Sequence, residues 1–181
     1  KLGPGRVAGA SDTHCRRPEH GEKTNTGGSV RRSDREIRDR GACDAIIREC
    51  RVCRLGLCDR GEPYVVPMCF GYDGTAVYFH AAQEGRKIEI LRANNRVCLE
   101  FDILDRVVET RDPCRWEISY RSVIAWGRAE LLEEMEEKRY GLSVLTSRYS
   151  PRAFSFPDEA VRRTAVIRVV IECLTGKGIA G

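Results

Sequence analysis

The sequence predicts a mainly β protein, an antiparallel barrel of six strands carrying peripheral helices. Three observations support this. Apolar runs of strand length recur from Val52 to Leu174. Glycine-bearing turn signals, Asp59-Arg60-Gly61 and Tyr72-Asp73-Gly74-Thr75, separate successive runs, and a glycine takes the positive φ that tight hairpins need. Helix-period segments fall at the entrance and between the last strands, which suits helices placed around an antiparallel barrel.

Taken in order, residues 1–33 are rich in Gly, Ser, Thr, Arg and Lys, with almost no bulky apolar residue between Val7 and Val30. Such a segment cannot bury enough surface to offset its ordering entropy, so it is expected to be a flexible arm ahead of a domain spanning 34–181. Ser33-Asp34-Arg35-Glu36 reads as a capping box opening a helix to Arg40. Gly41 breaks it, and a second helix from Ala42 to Cys50 places Cys43, Ile46, Ile47 and Cys50 on one face.

Val52–Cys58 alternates as a first strand. Val65, Val66, Met68 and Phe70 supply a second strand, and Val77, Tyr78 and Phe79 a third, expected to form a hairpin across Tyr72–Thr75. Gly85-Arg86-Lys87 opens a short amphipathic helix. Arg96–Asp105 is a fourth strand with Val97, Leu99, Phe101 and Ile103 on one face. Val107–Arg115 is a polar excursion containing Pro113. Trp116–Leu131 is a long fifth strand, bent at Gly127. Glu133–Arg148 reads as a helix whose Glu133, Glu134, Glu136 and Glu137 complement its dipole as solvated charge. Phe154–Pro157 is a loop, and Ala165–Leu174 a buried last strand.

The 181 residues suit one domain. Their 41% hydrophobic and 32% charged content is that of a globular protein. No run approaches the ~20 apolar residues of a membrane span, and no secretory leader is visible, so a cytoplasmic protein without membrane association is expected. The net charge of +4 resides in residues 1–40, which hold 10 Lys and Arg against 6 Asp and Glu, while the remainder holds 21 of each. A generally basic nucleic-acid-binding face is therefore not expected. The nine cysteines are odd in number and mostly fall inside strands or helices, which suggests reduced thiols serving as small core hydrophobes. Cys50-x-x-Cys53 with Cys58 lacks a matching second pair for zinc and does not sit at a helix start as redox pairs do. His14, Cys15 and His20 fit no closed site, and no metal is expected.

Gly85-Arg86-Lys87 combines a glycine, two cations and the free N–H groups of a helix start, which together make a phosphate-binding corner. On spacing alone, the pair could equally be solvated surface. The wider pattern is more specific. Pro63-Tyr64-Val65-Val66-Pro67, then Tyr78-Phe79-His80-Ala81, then Gly85-Arg86-Lys87 resembles the FMN-binding split-barrel superfamily that includes pyridoxamine 5′-phosphate oxidase. It is most similar to the branch of nitroimidazole-resistance and flavin-nucleotide-binding proteins. The likeness covers Asp34 to Lys177 and is sharpest from Arg54 to Lys87.

That resemblance implies a split barrel binding FMN at the interface of a homodimer. Arg86 and Lys87 match the pair that grips the cofactor phosphate. Val66, Pro67, Met68 and Cys69 match the strand along the ring edge. His80, Ala81 and Ala82 match the segment beneath ribityl and ring, with His80 the candidate catalytic or proton-carrying residue. Ser122 falls where relatives place a polar group facing the ring, and Trp116 and Trp126 are core aromatics or pocket wall. The implied activity is electron transfer from a reduced donor to a small organic acceptor, a nitroaromatic being one candidate. The alternatives are a non-catalytic flavin- or haem-binding module and a pyridoxamine 5′-phosphate oxidase-like enzyme. The residues after Leu174 lack the basic and aromatic segment with which that oxidase grips its substrate phosphate, so vitamin B6 oxidation is not the expected activity.

Overall fold

The computed structural model describes residues 32–179. The expected arm therefore lies outside the described residues except for Arg32 and Ser33, as do His14, Cys15 and His20. The described chain contains strands β1 (Glu36–Ile37), β2 (Cys53–Asp59), β3 (Glu62–Met68), β4 (Gly71–Tyr72), β5 (Ala76–Ala81), β6 (Arg96–Val108), β7 (Glu117–Leu131) and β8 (Ala165–Ile179). Its helices are α1 (Arg40–Glu49), α2 (Arg86–Ala93), α3 (Met135–Ser147) and α4 (Asp158–Arg163). The strands form one antiparallel sheet in the order β3-β2-β6-β7-β8-β5-β4, with β1 added on β8. β3 and β4 end the order, so hydrogen bonds do not close the barrel. The six expected strands are β2, β3, β5, β6, β7 and β8, and the two-residue β1 and β4 complete the eight.

Asp59-Arg60-Gly61 turns as expected: Arg60 at φ 50° and Gly61 at φ 95° make the tight hairpin that pairs β2 with β3. That pairing corrects the expected hairpin of the second and third apolar runs. β3 bonds to β2 along its whole length, and only Gly71-Tyr72 pairs with β5. The turn between β4 and β5 is held by Asp73. Its carboxylate accepts from the Thr75 and Ala76 amides, each at 2.8 Å, and from the Tyr78 hydroxyl at 3.0 Å.

Ser33–Arg35 is a single 3₁₀ turn without a side-chain cap, followed by β1 rather than by a helix. The helix N-cap is Asp39, whose side chain accepts from the Ala42 amide, and Gly41 lies within α1. Asp39 is short and sits one turn ahead of the apolar face, so it outcompetes Ser33 as the cap. The face itself is as expected, with Cys43, Ile46, Ile47 and Cys50 buried. β7 bends where expected, its register against β8 shifting between Trp126 and Gly127. β8 runs five residues beyond the expected Leu174, and α4 was not foreseen.

The main core lies within the curled sheet: Leu55, Phe70, Val77, Phe79, Leu99, Phe101 and Val123, closed by α1. Phe70 meets Phe101 edge-on with centroids 5.1 Å apart. A second cluster (Ala76, Tyr78, Leu132, Leu142, Val161 and Val166) lies under α3 and α4. Residues 76–79 of β5 are thus buried on both faces, which explains their unbroken apolar character. Among the described residues, no helix is long and apolar enough to cross a membrane. Among the described residues, Cys43, Cys50, Cys53, Cys58, Cys69, Cys98 and Cys114 are free thiols.

Candidate functional site: a cationic corner beside the edge strand

The start of α2 follows from Gly85, at φ 117° and ψ 164°. An L side chain rarely adopts that region, so glycine is what lets the chain turn from β5 into the helix. The Gly85 carbonyl accepts from the Ile88 and Glu89 amides at 2.9 and 3.1 Å. No side chain caps the helix, so its first amides remain available as donors. Ile88, Ile90 and Leu91 bury the inner face, and Asn94 Nδ2 donates to the Cys58 carbonyl at 3.2 Å. These contacts lay α2 against the β2–β3 hairpin and carry the end of β5 to the sheet's open edge.

The two cations have different surroundings. Arg86 stacks over the Tyr64 ring, Cζ to centroid 4.6 Å, and its Nη2 lies 3.7 Å from Asp59 Oδ2. Lys87 is half-buried, and its Nζ donates to Met68 Sδ at 3.2 Å. Among the described residues, no carboxylate lies within ion-pair reach of Lys87. Burial alone pushes its ammonium pKa below the ordinary lysine value. A thioether is a weak acceptor, so the corner holds a partly desolvated cation without a strong partner.

Along β3, Tyr64, Val66 and Met68 pack toward the core, while Val65, Pro67 and the following Cys69 are exposed. The structure thus brings Met68, Arg86 and Lys87 together and sets Val66 on the Met68 face, with Pro67 on the other. Among the described residues β3 pairs only with β2, and Pro63 and Pro67 suit an edge strand because they need donate nothing to a neighbour.

At the end of β5, His80 lies opposite Val166 and Ala81 opposite Ala165. Ala81 packs against the main core, and alternation puts His80 on the opposite face, exposed and without a side-chain hydrogen bond among the described residues. Ala82, exposed, follows. Ser122 on β7 pairs with Asp102 and Lys177, and its Oγ donates to the Lys177 carbonyl at 3.4 Å. The register Pro67–Arg54–Glu100 and Asp102–Ser122 places Ser122 and Pro67 on one outward sheet face. Ser122 therefore makes no contact with the cationic corner within one chain.

That outward face also carries Val65, Cys98, Ile124 and Trp126; Val65 is 61% exposed and Ile124 37% exposed. Trp116 stands apart, 44% exposed, its Nε1 donating to the Thr110 carbonyl at 3.0 Å. Burial pushes the Cys50 thiol up to about 11, and raises Cys53 further, so both keep their protons near neutral pH. A separate cavity of about 60 Å³ lies between α2 and α3, lined in part by Gln83, Arg92 and Lys138. It is too small for a three-ring cofactor, since ligand pockets run to roughly 300–1,000 Å³.

Sequence reasoning missed Tyr64 and Asp59 at the corner. Tyr64 precedes Val66 and Met68 at strand alternation, which signals the inward face, but nothing local indicates that Arg86 would reach it. Asp59 read only as a turn residue.

A family profile described as pyridoxamine 5′-phosphate oxidase matches residues 39–178. A protein from Bacteroides thetaiotaomicron, named for 5-nitroimidazole antibiotic resistance, is 38% identical and superposes with a TM-score of 0.73, covering 79% of this chain and 86% of its own. The flavocytochrome Anf3 from Azotobacter vinelandii is 26% identical, TM-score 0.75, over 84% of this chain and 73% of its own. An FAD-binding protein from Mesorhizobium loti is 25% identical, TM-score 0.61, over 81% and 98%. A protein of Rhizobium meliloti (strain 1021) is 26% identical over 96 residues, 53% of this chain, and the match spans 56% of that curated relative.

Proposed function

The chain belongs to the pyridoxamine 5′-phosphate oxidase family, and from that premise we propose that it binds FMN at the Arg86–Lys87 corner and serves as an oxidoreductase. Electrons would pass from a reduced donor to a small organic acceptor, a nitroaromatic being the acceptor class that the Bacteroides relative's name brings forward. The observation that carries this reading is Lys87: a half-buried ammonium beside Arg86, at a helix start, whose side-chain partner among the described residues is a thioether.

The residues fit the group. A flavin phosphate would supply the strong acceptor that Lys87 lacks, and the uncapped amides of α2 and the fork of Arg86 offer further donors. The β3 segment Val66–Cys69 would orient the ring edge, and the small Ala81 and Ala82 leave room for it. His80 is the candidate proton carrier. When bound, the flavin supplies reversible two-electron chemistry, and the protein contributes binding, orientation and exclusion of water.

We place the site at a homodimer interface. The outward sheet face supports this: Val65, Ile124 and Trp126 lie exposed or half-exposed on it in one chain, beside the Arg54 ion pairs with Glu100 and Asp102, and an interface would shield the apolar residues and bring Ser122 to a partner's corner. A second reading, a module that holds flavin or haem without turnover, is favoured by the likeness to a flavocytochrome.

The test is the visible spectrum of the purified protein, followed by anaerobic addition of a nicotinamide donor. A flavin spectrum that bleaches, then recovers on adding a nitroaromatic, supports the enzyme. A haem band, or a flavin spectrum that persists unchanged, supports the module.

A further inference from the structure

The corner's two cations are not equivalent. Among the described residues, Lys87 has no anionic partner in reach, whereas Arg86 already has both a seat and a counter-charge. The Tyr64 ring lies under its guanidinium at 4.6 Å, and Asp59 Oδ2 stands 3.7 Å from Nη2. Asp59 closes the β2–β3 hairpin, also accepts from Arg60 Nε at 3.3 Å, and is only 26% exposed, while Arg86 is 56% exposed. Tyr64 packs on the core from the same hairpin. One rigid ribbon therefore presents both an aromatic face and a carboxylate to an arginine on the following helix.

We propose that Tyr64 and Asp59 are positioning residues for phosphate recognition: Tyr64 fixes the plane of the Arg86 guanidinium, and Asp59 is an internal anion with which an incoming phosphate competes. The inference rests on the corner being the phosphate site. An arginine stacked on a ring loses less side-chain freedom when it grips a planar pair of oxygens, so Tyr64 improves affinity by pre-organisation. A carboxylate beside an exposed arginine is a weak partner, so a doubly charged phosphate displaces it, whereas a neutral or singly charged ligand gains less. Asp59 thereby weakens phosphate binding modestly and holds off singly charged anions, while an unphosphorylated flavin, which need not displace it, is unaffected.

The experiment measures dissociation constants for FMN and for riboflavin side by side, with thermal melts as a folding control. Tyr64→Leu keeps the apolar contact but removes the ring. It should weaken FMN about tenfold while leaving riboflavin within about twofold, and Tyr64→Phe should restore FMN binding. Asp59→Asn should tighten FMN about threefold and leave riboflavin unchanged, the opposite sign to that of a turn residue with a merely structural role. Equal weakening of both ligands by Tyr64→Leu, or weaker FMN binding in Asp59→Asn, would overturn the proposal. Failure of the underlying site assignment looks different: the Arg86→Gln, Lys87→Gln double variant would keep its preference for FMN. If the double variant loses that preference while the Tyr64 and Asp59 variants behave like the native protein, only the positioning roles fall.

Discussion

Lys87 Nζ lies 3.2 Å from Met68 Sδ, joining the first turn of α2 to the inner face of the edge strand. Burial lowers the ammonium's pKa and no carboxylate among the described residues offsets it, so burying this charge costs stability while serving a ligand. Lys87→Met should raise the stability of the ligand-free protein by about 1 kcal/mol, in the range of typical stabilising changes at functional sites, and sharply reduce FMN affinity. Denaturant titration and fluorescence quenching check the two halves, and a variant that loses stability would contradict the account.

The same residue sets a pH dependence. Because its pKa is lowered, Lys87 gives up its proton below the ordinary lysine range, and a phosphate that needs the charged form weakens accordingly. FMN affinity should be highest near neutral pH and fall on the alkaline side. Lys87→Arg should move the fall to higher pH, since arginine keeps its proton. Riboflavin affinity, lacking the phosphate, should show no such fall.

Asp73 organises the β4–β5 turn. Burial pushes its carboxyl up, but the Ala76 and Thr75 amides and the Thr75 and Tyr78 hydroxyls together hold it below the ordinary value. A lowered carboxylate pKa means that this stability is present above the unfolded-state value and is lost as pH falls through the folded one. Asp73→Ala should cost about 1–3 kcal/mol, as removal of a shared acceptor does, and should flatten the acid limb of a stability-against-pH curve.

Gly71 lies where α3 crosses β4. A Cβ there would stand 2.5 Å from the Leu145 amide nitrogen and 2.6 Å from its Cα, both backbone atoms that cannot swing aside. Gly71→Ala should destabilise by about 1–3 kcal/mol or more through overpacking, and be read as a lowered melting temperature.

The proposed interface is open to a direct test. Ile124→Glu places a second carboxylate opposite Glu100 on the outward sheet face, where the unpaired charge would be desolvated on association. It should convert a dimer to a monomer in sedimentation and release FMN, while circular dichroism stays unchanged. A dimer that survives the change would place the interface elsewhere.

Much of this architecture was legible locally. The Arg60-Gly61 turn, the Val97–Leu99–Phe101 alternation, the bend at Gly127 and the start of α2 at Gly85 each follow from residues within a few positions. What was not legible depended on distant partners. Val65–Met68 and Val77–Phe79 flank a turn and read as one hairpin, but the tighter turn at Arg60-Gly61 claims β3 for β2, leaving two residues to pair with β5. The end of β8 carries Gly176 and Gly178, poor strand formers by propensity, and is extended because β7 and β1 pair with it. Six-residue α4 is tied to α3 by Arg139 with Asp158 and by the buried Lys138 Nζ donating to the Val161 carbonyl at 3.3 Å. At the corner, Arg86 and Lys87 were visible as a motif. Their unequal partners were not, since Tyr64, Asp59 and Met68 reach them only through the fold.

The most direct measurement is the ratio of FMN to riboflavin affinity in the Arg86→Gln, Lys87→Gln double variant. The account predicts that FMN binding falls about 100-fold or more, the loss expected for charge-assisted hydrogen bonds to a phosphate, down to the level of riboflavin. FMN held as tightly as by the native protein would contradict it.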